Sequence, residues 1–395
     1  MDVKPYLYFL LFAVVFFPAE AKAEDEITFY QINELLGIEL LADDLLWDDT
    51  PKSVAKRLRW RPESKTSNQS SFRHYSQADY EILGSQAYSS VLYGRDGKPS
   101  QVSIVFINRG DVEALLKRID DDDKEDANFY DLLEDAVEEE GEAMTAKLTD
   151  FFGDPSKARF GKGGDLKEKV TRWDWNGHAF LLSIQEEQYL GLRIVSSEFA
   201  DSRGTLEEVS DREMKEYLLS KVVRRENGDV LISDMPMVNQ GPKGYCVPAT
   251  CERFLRYFGI PADMYMLARV GNTGFGGGTT MGAITNQLES IARSNSRRFE
   301  YEDVDMEAKD IAKYIDQGIP LMWRVYAENQ IYMEEINKRT KERRDVADWT
   351  QWKEKLDKVR TRLEDARRGR YQSGHHMCMI IGYNKETGEI ASPLQ

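Results

Sequence analysis

The stretch that most constrains this chain is Asn239-Gln240-Gly241-Pro242-Lys243-Gly244-Tyr245-Cys246-Val247-Pro248-Ala249-Thr250-Cys251-Glu252. It sets a side-chain amide, a glycine-bearing turn and a cysteine in order, with the cysteine where a helix opens. Pro248 suits a first helical turn, because its missing N–H would have no partner there. Phe254, Leu255 and Phe258 follow at helical spacing, and Gly259 and Pro261 end the element. A thiol at such an N-terminus feels the positive end of the helix dipole and unpaired N–H groups, which favour thiolate over thiol. Cys246 is thereby placed as a nucleophile.

Gln240 lies six residues upstream, across a loop able to fold back beside the cysteine. Its amide N–H₂ and the backbone N–H of Cys246 are suitable donors to the oxyanion that develops when a thiolate attacks a carbonyl. This segment resembles the oxyanion-hole and nucleophile segment of papain-like cysteine peptidases. More narrowly, Gln-Gly-Pro-x-Gly-Tyr-Cys-x-Pro-Ala is similar to the bacteriocin-processing, double-glycine-leader branch and its stand-alone relatives.

Such a cysteine needs a base, and the chain has four histidines. His375 and His376 precede Met377-Cys378-Met379-Ile380-Ile381-Gly382-Tyr383, which reads as a buried strand closed by a glycine. In the papain-like resemblance the catalytic histidine stands six residues before the Gly-Tyr, which selects His376. His375 then points to the opposite face of the strand. The resemblance also implies an Asn or Asp opening the next strand, holding the imidazole in the correct tautomer. That place falls near Ala391-Ser392-Pro393, and Asn384 is too close along the same strand-turn to serve. Because Ile390-Ala391-Ser392 begins like a strand that should continue, the chain reads as a truncated version of a longer one. A residue supplied from elsewhere, or reduced activity, are the alternatives.

The first residues read as a targeting segment: Lys4, an apolar run from Tyr6 to Phe17, Pro18, and the small-x-small pattern Ala21-Lys22-Ala23. Residues 1–23 are thus expected to be a signal peptide, with an uncleaved anchor as the alternative, and the protein to be exported, either secreted or retained in the periplasm or cell envelope. No later run is long enough for a membrane span. The net charge of −16 argues against nucleic acid or an anionic membrane surface as partner. Three cysteines are too few for a disulfide scaffold. Cys251 and Cys378 read as buried free thiols, with a disulfide between them as the alternative.

The expected fold is α+β: a papain-like peptidase domain over 229–395, its nucleophile helix packed on an antiparallel sheet, preceded by a separate small α+β domain over 24–228. In the first domain, Ile27 to Asp44 reads as a helix or two, Thr50 opens a short helix to about Leu58, and Arg61 to Ser71 reads as a polar loop. Strands follow at Ala87 to Tyr93 and Gln101 to Ile107, then a helical region from Val112 to about Phe152. A meander over Val170 to Val195 turns tightly at Asn176-Gly177. Asp120 to Asp123 lack the spacing of a calcium loop and read as a solvated acidic face. His74 and His178 lack partners at ligand spacing and read as surface or structural residues. No metal or cofactor is expected.

In the second domain, Gly271 to Met281 is a glycine-rich loop without a P-loop lysine, ending in a Thr cap for the helix Met281 to Ala292. A strand over Gly318 to Val325 precedes the histidine strand. Between them, 328–370 reads as an amphipathic helical hairpin, either a lid or partner-docking element over the site or an insertion packed on the domain flank. The function implied is a cysteine peptidase acting on a peptide or protein substrate through Cys246, His376 and Gln240. A related acyl-transfer enzyme, such as an amidase or transglutaminase, and a catalytically impaired binding or envelope protein on the same fold are the alternatives.

Overall fold

An eight-stranded antiparallel sheet occupies most of the N-terminal half of the computed structural model, which describes residues 27–75, 80–111, 128–185, 187–241, 244–275, 278–301, 307–326, 330–367 and 375–393. The sheet's strands are β1 (Arg61–Lys65), β2 (Gln69–Tyr75), β5 (Ser89–Arg95), β6 (Lys98–Asn108), β7 (Ser156–Phe160), β8 (Glu168–Trp175), β9 (His178–Gln185) and β10 (Tyr189–Ser196), while β3 (Glu81–Ile82) and β4 (Ser85–Gln86) form a separate two-stranded sheet. The large sheet runs β1-β2-β5-β6-β10-β9-β8-β7. Asn176 and Gly177 both take positive φ in the β8–β9 turn, as the sequence predicts.

Alternation divides this sheet into two unlike faces. Val102, Ile104 and Phe106 of β6, with Leu190, Leu192 and Ile194 of β10, enter the main apolar core. There they meet helices α1 (Phe29–Leu36), α2 (Pro51–Leu58) and α3 (Phe129–Phe152). Thr50 caps α2, accepting from Ser53 N at 3.2 Å, with Pro51 in the first turn. The opposite face presents Ser71, Arg73, Tyr93, Ser103, Tyr189 and Arg193, all buried.

The sequence expectation of a polar loop over Arg61 to Ser71 is corrected here. Those residues form β1 and the start of β2, paired from Arg61↔Arg73 to Lys65↔Ser70. Ser64, Thr66, Gln69 and Ser71 are buried while Arg61, Lys65 and Ser67 are exposed, so a rule equating polar with loop or exposed misplaces the stretch. The expected helix over Val112 to Phe152 is found at Phe129–Phe152, while its earlier part, Asp120 to Asp123 and the targeting segment lie outside the described residues. His178 is buried, stacked on Trp175, with Nδ1 2.9 Å from Asn176 O, a structural placement.

After α4 (Ser197–Asp201) and α5 (Asp211–Ser220), β11 (Val222–Arg224) and β12 (Asp229–Ile232) begin a four-stranded sheet of order β11-β12-β15-β16, with β15 at Gly382–Asn384 and β16 at Glu389–Ala391. Helices α6 (Cys246–Tyr257), α7 (Met264–Val270), α8 (Met281–Ser294) and α9 (Ala308–Ile315) follow. Strand β13 (Leu321–Tyr326) then pairs antiparallel with β14 (His375–Ile380). Helix α7 escaped the sequence reading, and Thr280, although at the N-cap of α8, makes no side-chain cap bond.

The insertion forms α10 (Gln330–Glu342) and α11 (Trp349–Arg367). Between and along them, Arg343 bonds both carboxylate oxygens of Asp229 at 2.8 and 2.6 Å and Glu389 at 3.0 Å. Trp352 Nε1 also donates to Glu389, at 3.2 Å. These contacts seat the insertion on the four-stranded sheet.

Packing continues across residue 228. One apolar cluster joins Val105 and Tyr189 of the large sheet to Tyr245, Ala249, Met264 and Tyr265. Beside it, Glu252 of α6 is fully buried and accepts from Met264 N at 2.8 Å, Tyr93 Oη at 3.0 Å, Arg256 at 3.2 Å and Arg73 at 3.5 Å. Gln69 Nε2 donates to Arg256 O at 2.8 Å, and Ser103 Oγ to Asp263 at 2.7 Å. The polar face of the sheet is therefore the seat of the cysteine helix.

Candidate active site

Cys246 is the first residue of α6, and Tyr245 in the N-cap position makes no side-chain cap bond. The first-turn N–H groups and the positive end of the dipole are accordingly directed to the space around Cys246. Tyr245 is held from below: it is fully buried, donates to Asn108 Oδ1 at 2.6 Å, and meets Tyr265 edge-on at 5.6 Å. The end of β6 must approach it closely, since a Cβ added at Gly110 would lie 1.8 Å from the Tyr245 hydroxyl. Thus β6 fixes the backbone immediately before the cysteine.

The segment leading to Gln240 is irregular and is held from two sides. Buried Arg253 of α6 donates from Nε to Pro236 O at 3.0 Å. From the large sheet, Ser64 Oγ accepts from Met237 N at 2.9 Å, Glu63 Oε1 accepts from Asn239 N at 2.7 Å, and the Tyr75 hydroxyl donates to Asn239 O. Gly241 takes φ +72° with its α-carbon close to the Tyr75 ring. Gln240, half-buried, sits between Asn239 and this glycine.

Helix α6 lies against β14. Thr250 Oγ1 donates to Met377 O at 3.2 Å, and Arg253, three residues on, is within electrostatic reach of Cys378. Cys246 shares an apolar cluster with Met377, the residue after His376 on β14. Alternation puts His376 on the face of Cys378, and Cys378 is within electrostatic reach of Cys246. Burial lowers His376 from its ordinary 6.5. Among the described residues no hydrogen bond joins Cys246 Sγ to His376, and catalytic hydrogen bonds often tighten only when substrate is bound. The structure brings the two elements together without closing that bond.

At the expected third position the chain presents Ser392, whose hydroxyl bonds the Cys378 thiol, while Ile381 N donates to Ala391 O at 2.9 Å. Asn384 is committed elsewhere: it donates to Asn227 O at 3.0 Å and Asp229 Oδ1 at 2.9 Å and accepts from Glu386 N and Thr387 N. All three cysteines are free. Burial pushes Cys251 up to about 12, and burial also raises Cys378 against the opposing pull of Ser392 and Arg253. Both are thereby kept as thiols, Cys251 fully buried and Cys378 half-buried.

Next to Cys246, Val247 and Cys251 open onto a cleft of about 1450 Å³ between α6, α8 and β13, lined by apolar residues including Phe254, Ile284 and Met322. Among the described residues no group of His, Cys, Asp and Glu has a metal-holding arrangement, and no described helix is long and apolar enough to cross a membrane. Sequence reasoning missed Glu63, Tyr75 and Glu252. Glu252, Arg253 and Arg256 among the apolar residues of the cysteine helix carried a signal, since charges inside an apolar stripe must find buried partners.

Residues 232–392 match the model of the Peptidase_C39 like family, a span containing Gln240, Cys246 and His376. No curated protein and no solved structure matches the chain.

Proposed function

We propose that this chain, whose segment 232–392 is a relative of the papain-like, C39-type cysteine peptidases, is an exported enzyme that hydrolyses peptide bonds through Cys246, His376 and Gln240. The observation that carries the reading is Cys246 at the uncapped N-terminus of α6, a helix bonded through Thr250 to β14, the strand of His376, and preceded by a pinned glutamine loop. Because burial lowers His376, its imidazole is neutral in the resting enzyme and acts as general base. It takes the Cys246 thiol proton as sulfur attacks the carbonyl carbon. The Gln240 amide and the Cys246 N–H receive the oxyanion. Collapse expels the amine, protonated by His376, and leaves a thioester. Water, deprotonated by His376, attacks it, releasing the carboxylate and restoring the thiol.

The cleft beside Val247, apolar at Phe254, Ile284 and Met322 and charged at Arg297, Arg298 and Lys309, suits side chains of a bound peptide. The insertion takes a lid or partner-docking role in this reading, because α11 leads in sequence toward the His376 strand. A second reading, a papain-fold binding protein of the cell envelope, is favoured by the sequence having Ser392 near where the resemblance implies an Asn or Asp. A peptide library incubated with residues 24–395 and with Cys246→Ala separates the two. Cleavage by the unaltered protein alone supports the peptidase. Cleavage by both, or an intact library with both, counts against it.

A further inference from the structure

The large N-terminal sheet reaches the site at two strand ends, and each end grips a segment that the proposed chemistry needs in place. At the end of β2, the Tyr75 hydroxyl donates to Asn239 O. At β1, Glu63 Oε1 accepts from Asn239 N at 2.7 Å and is itself held by Arg73 Nε at 2.6 Å. The peptide groups on both sides of Asn239 are thus fixed from outside the 232–392 segment, one residue before Gln240. At the end of β6, Asn108 holds Tyr245, one residue before Cys246, and Arg109 Nε donates to Thr273 O of the glycine-rich loop at 3.2 Å.

We infer that the N-terminal domain is a built-in part of the active site rather than a detachable module, with Tyr75 and Glu63 as positioning residues for the oxyanion donor Gln240. This rests on the oxyanion role of Gln240 proposed above. An oxyanion donor works only if it stands at hydrogen-bond distance from where charge develops, with no reorganisation at the moment of reaction. A glutamine on an irregular segment has many rotamers and a mobile backbone, so its precision must come from neighbours. Here the neighbours are side chains of β1 and β2. The 232–392 segment supplies the donor, and the N-terminal sheet supplies its aim.

Two reactions at the same sulfur isolate this effect. p-Nitrophenyl acetate acylates a thiol through a tetrahedral oxyanion and releases p-nitrophenolate, whereas iodoacetamide alkylates it by displacement of iodide, with no oxyanion. The burst of p-nitrophenolate and the iodoacetamide rate are measured on residues 24–395, on Gln240→Ala and on Tyr75→Phe, with Cys246→Ala as background. Tyr75→Phe keeps the ring against Gly241 and loses the donor to Asn239, and a thermal melt verifies that it is folded. Gln240→Ala is expected to slow acylation about 100-fold, the scale of one lost oxyanion donor. Tyr75→Phe is expected to slow it about 3- to 10-fold, the scale of one hydrogen bond. Alkylation should stay within about twofold of the unaltered protein in both, because displacement of iodide makes no use of an oxyanion hole. If Gln240→Ala slows acylation and Tyr75→Phe does not, the positioning inference is wrong while the oxyanion reading stands. If Tyr75→Phe lowers acylation and alkylation together, Tyr75 acts on the cysteine or the fold, and the inference is also wrong. If Gln240→Ala acylates at full rate, the oxyanion reading itself is lost.

Discussion

The two faces of the large sheet are held by different physics. One is apolar, with Leu192 and its neighbours closing on α1, α2 and α3. Such a face is stabilised by area and shape, at about 25 cal/mol per Å² removed from water, and tolerates exchange of similar volumes. The other face carries Arg73, Tyr93 and Ser103 into a fully buried network with Glu252, Arg256 and Asp263 of the cysteine-helix region. Buried charges contribute little net stability but are costly to break singly, and they specify one arrangement of partners. The apolar face builds the domain, and the polar face sets where the cysteine helix sits on it.

Single removals should expose that difference. Glu252→Ala leaves Arg73 and Arg256 buried without their shared carboxylate and is expected to destabilise the protein by about 3–5 kcal/mol. Urea unfolding measures this, and p-nitrophenyl acetate acylation of the folded fraction should fall as well, because α6 loses its anchor. Leu192→Ala on the other face is expected to cost about 2–4 kcal/mol through the cavity it leaves, with acylation of the folded fraction unchanged. If Leu192→Ala impairs acylation as strongly as Glu252→Ala, the distinction between the faces fails.

A smaller effect should appear in the pH dependence of stability. Burial pushes the Glu252 carboxyl from its ordinary 4.5 up to about 7, opposed by Arg73 and Arg256. Between those values the folded protein binds more protons at this site than the unfolded chain, so this contribution to stability falls as pH rises from about 4.5 to 7. Glu252→Gln, which does not titrate, should show a shallower decline over that window in urea midpoints. Parallel curves for the two proteins would place the titration elsewhere.

The same contrast explains what the sequence revealed. The apolar face follows simple rules: β5, β6 and the β8–β10 meander stand close to where alternation and Asn176-Gly177 put them. Cys246 opens a helix and His376 lies on a strand, because Pro248, Gly259 and the run before Gly382 are local signals. The polar face was illegible. Arg61 to Ser71 carry few apolar residues, and their strand character comes from pairing and from partners more than a hundred residues away, such as Arg256 for Gln69. The grip of Glu63 and Tyr75 on Asn239 is likewise a tertiary fact with no local pattern.

The central claim is a reactive Cys246 served by His376, and the most direct test is the rate of iodoacetamide labelling against pH, with the labelled residue located by mass spectrometry. Burial lowers His376 below 6.5, so its neutral, proton-accepting form persists as pH falls through that value. The account predicts that Cys246 labels selectively, ahead of Cys251 and Cys378, well below the value of about 8.5 for a free thiol, and that His376→Ala removes this reactivity. Labelling of Cys246 that follows a free thiol's profile in both proteins would contradict it.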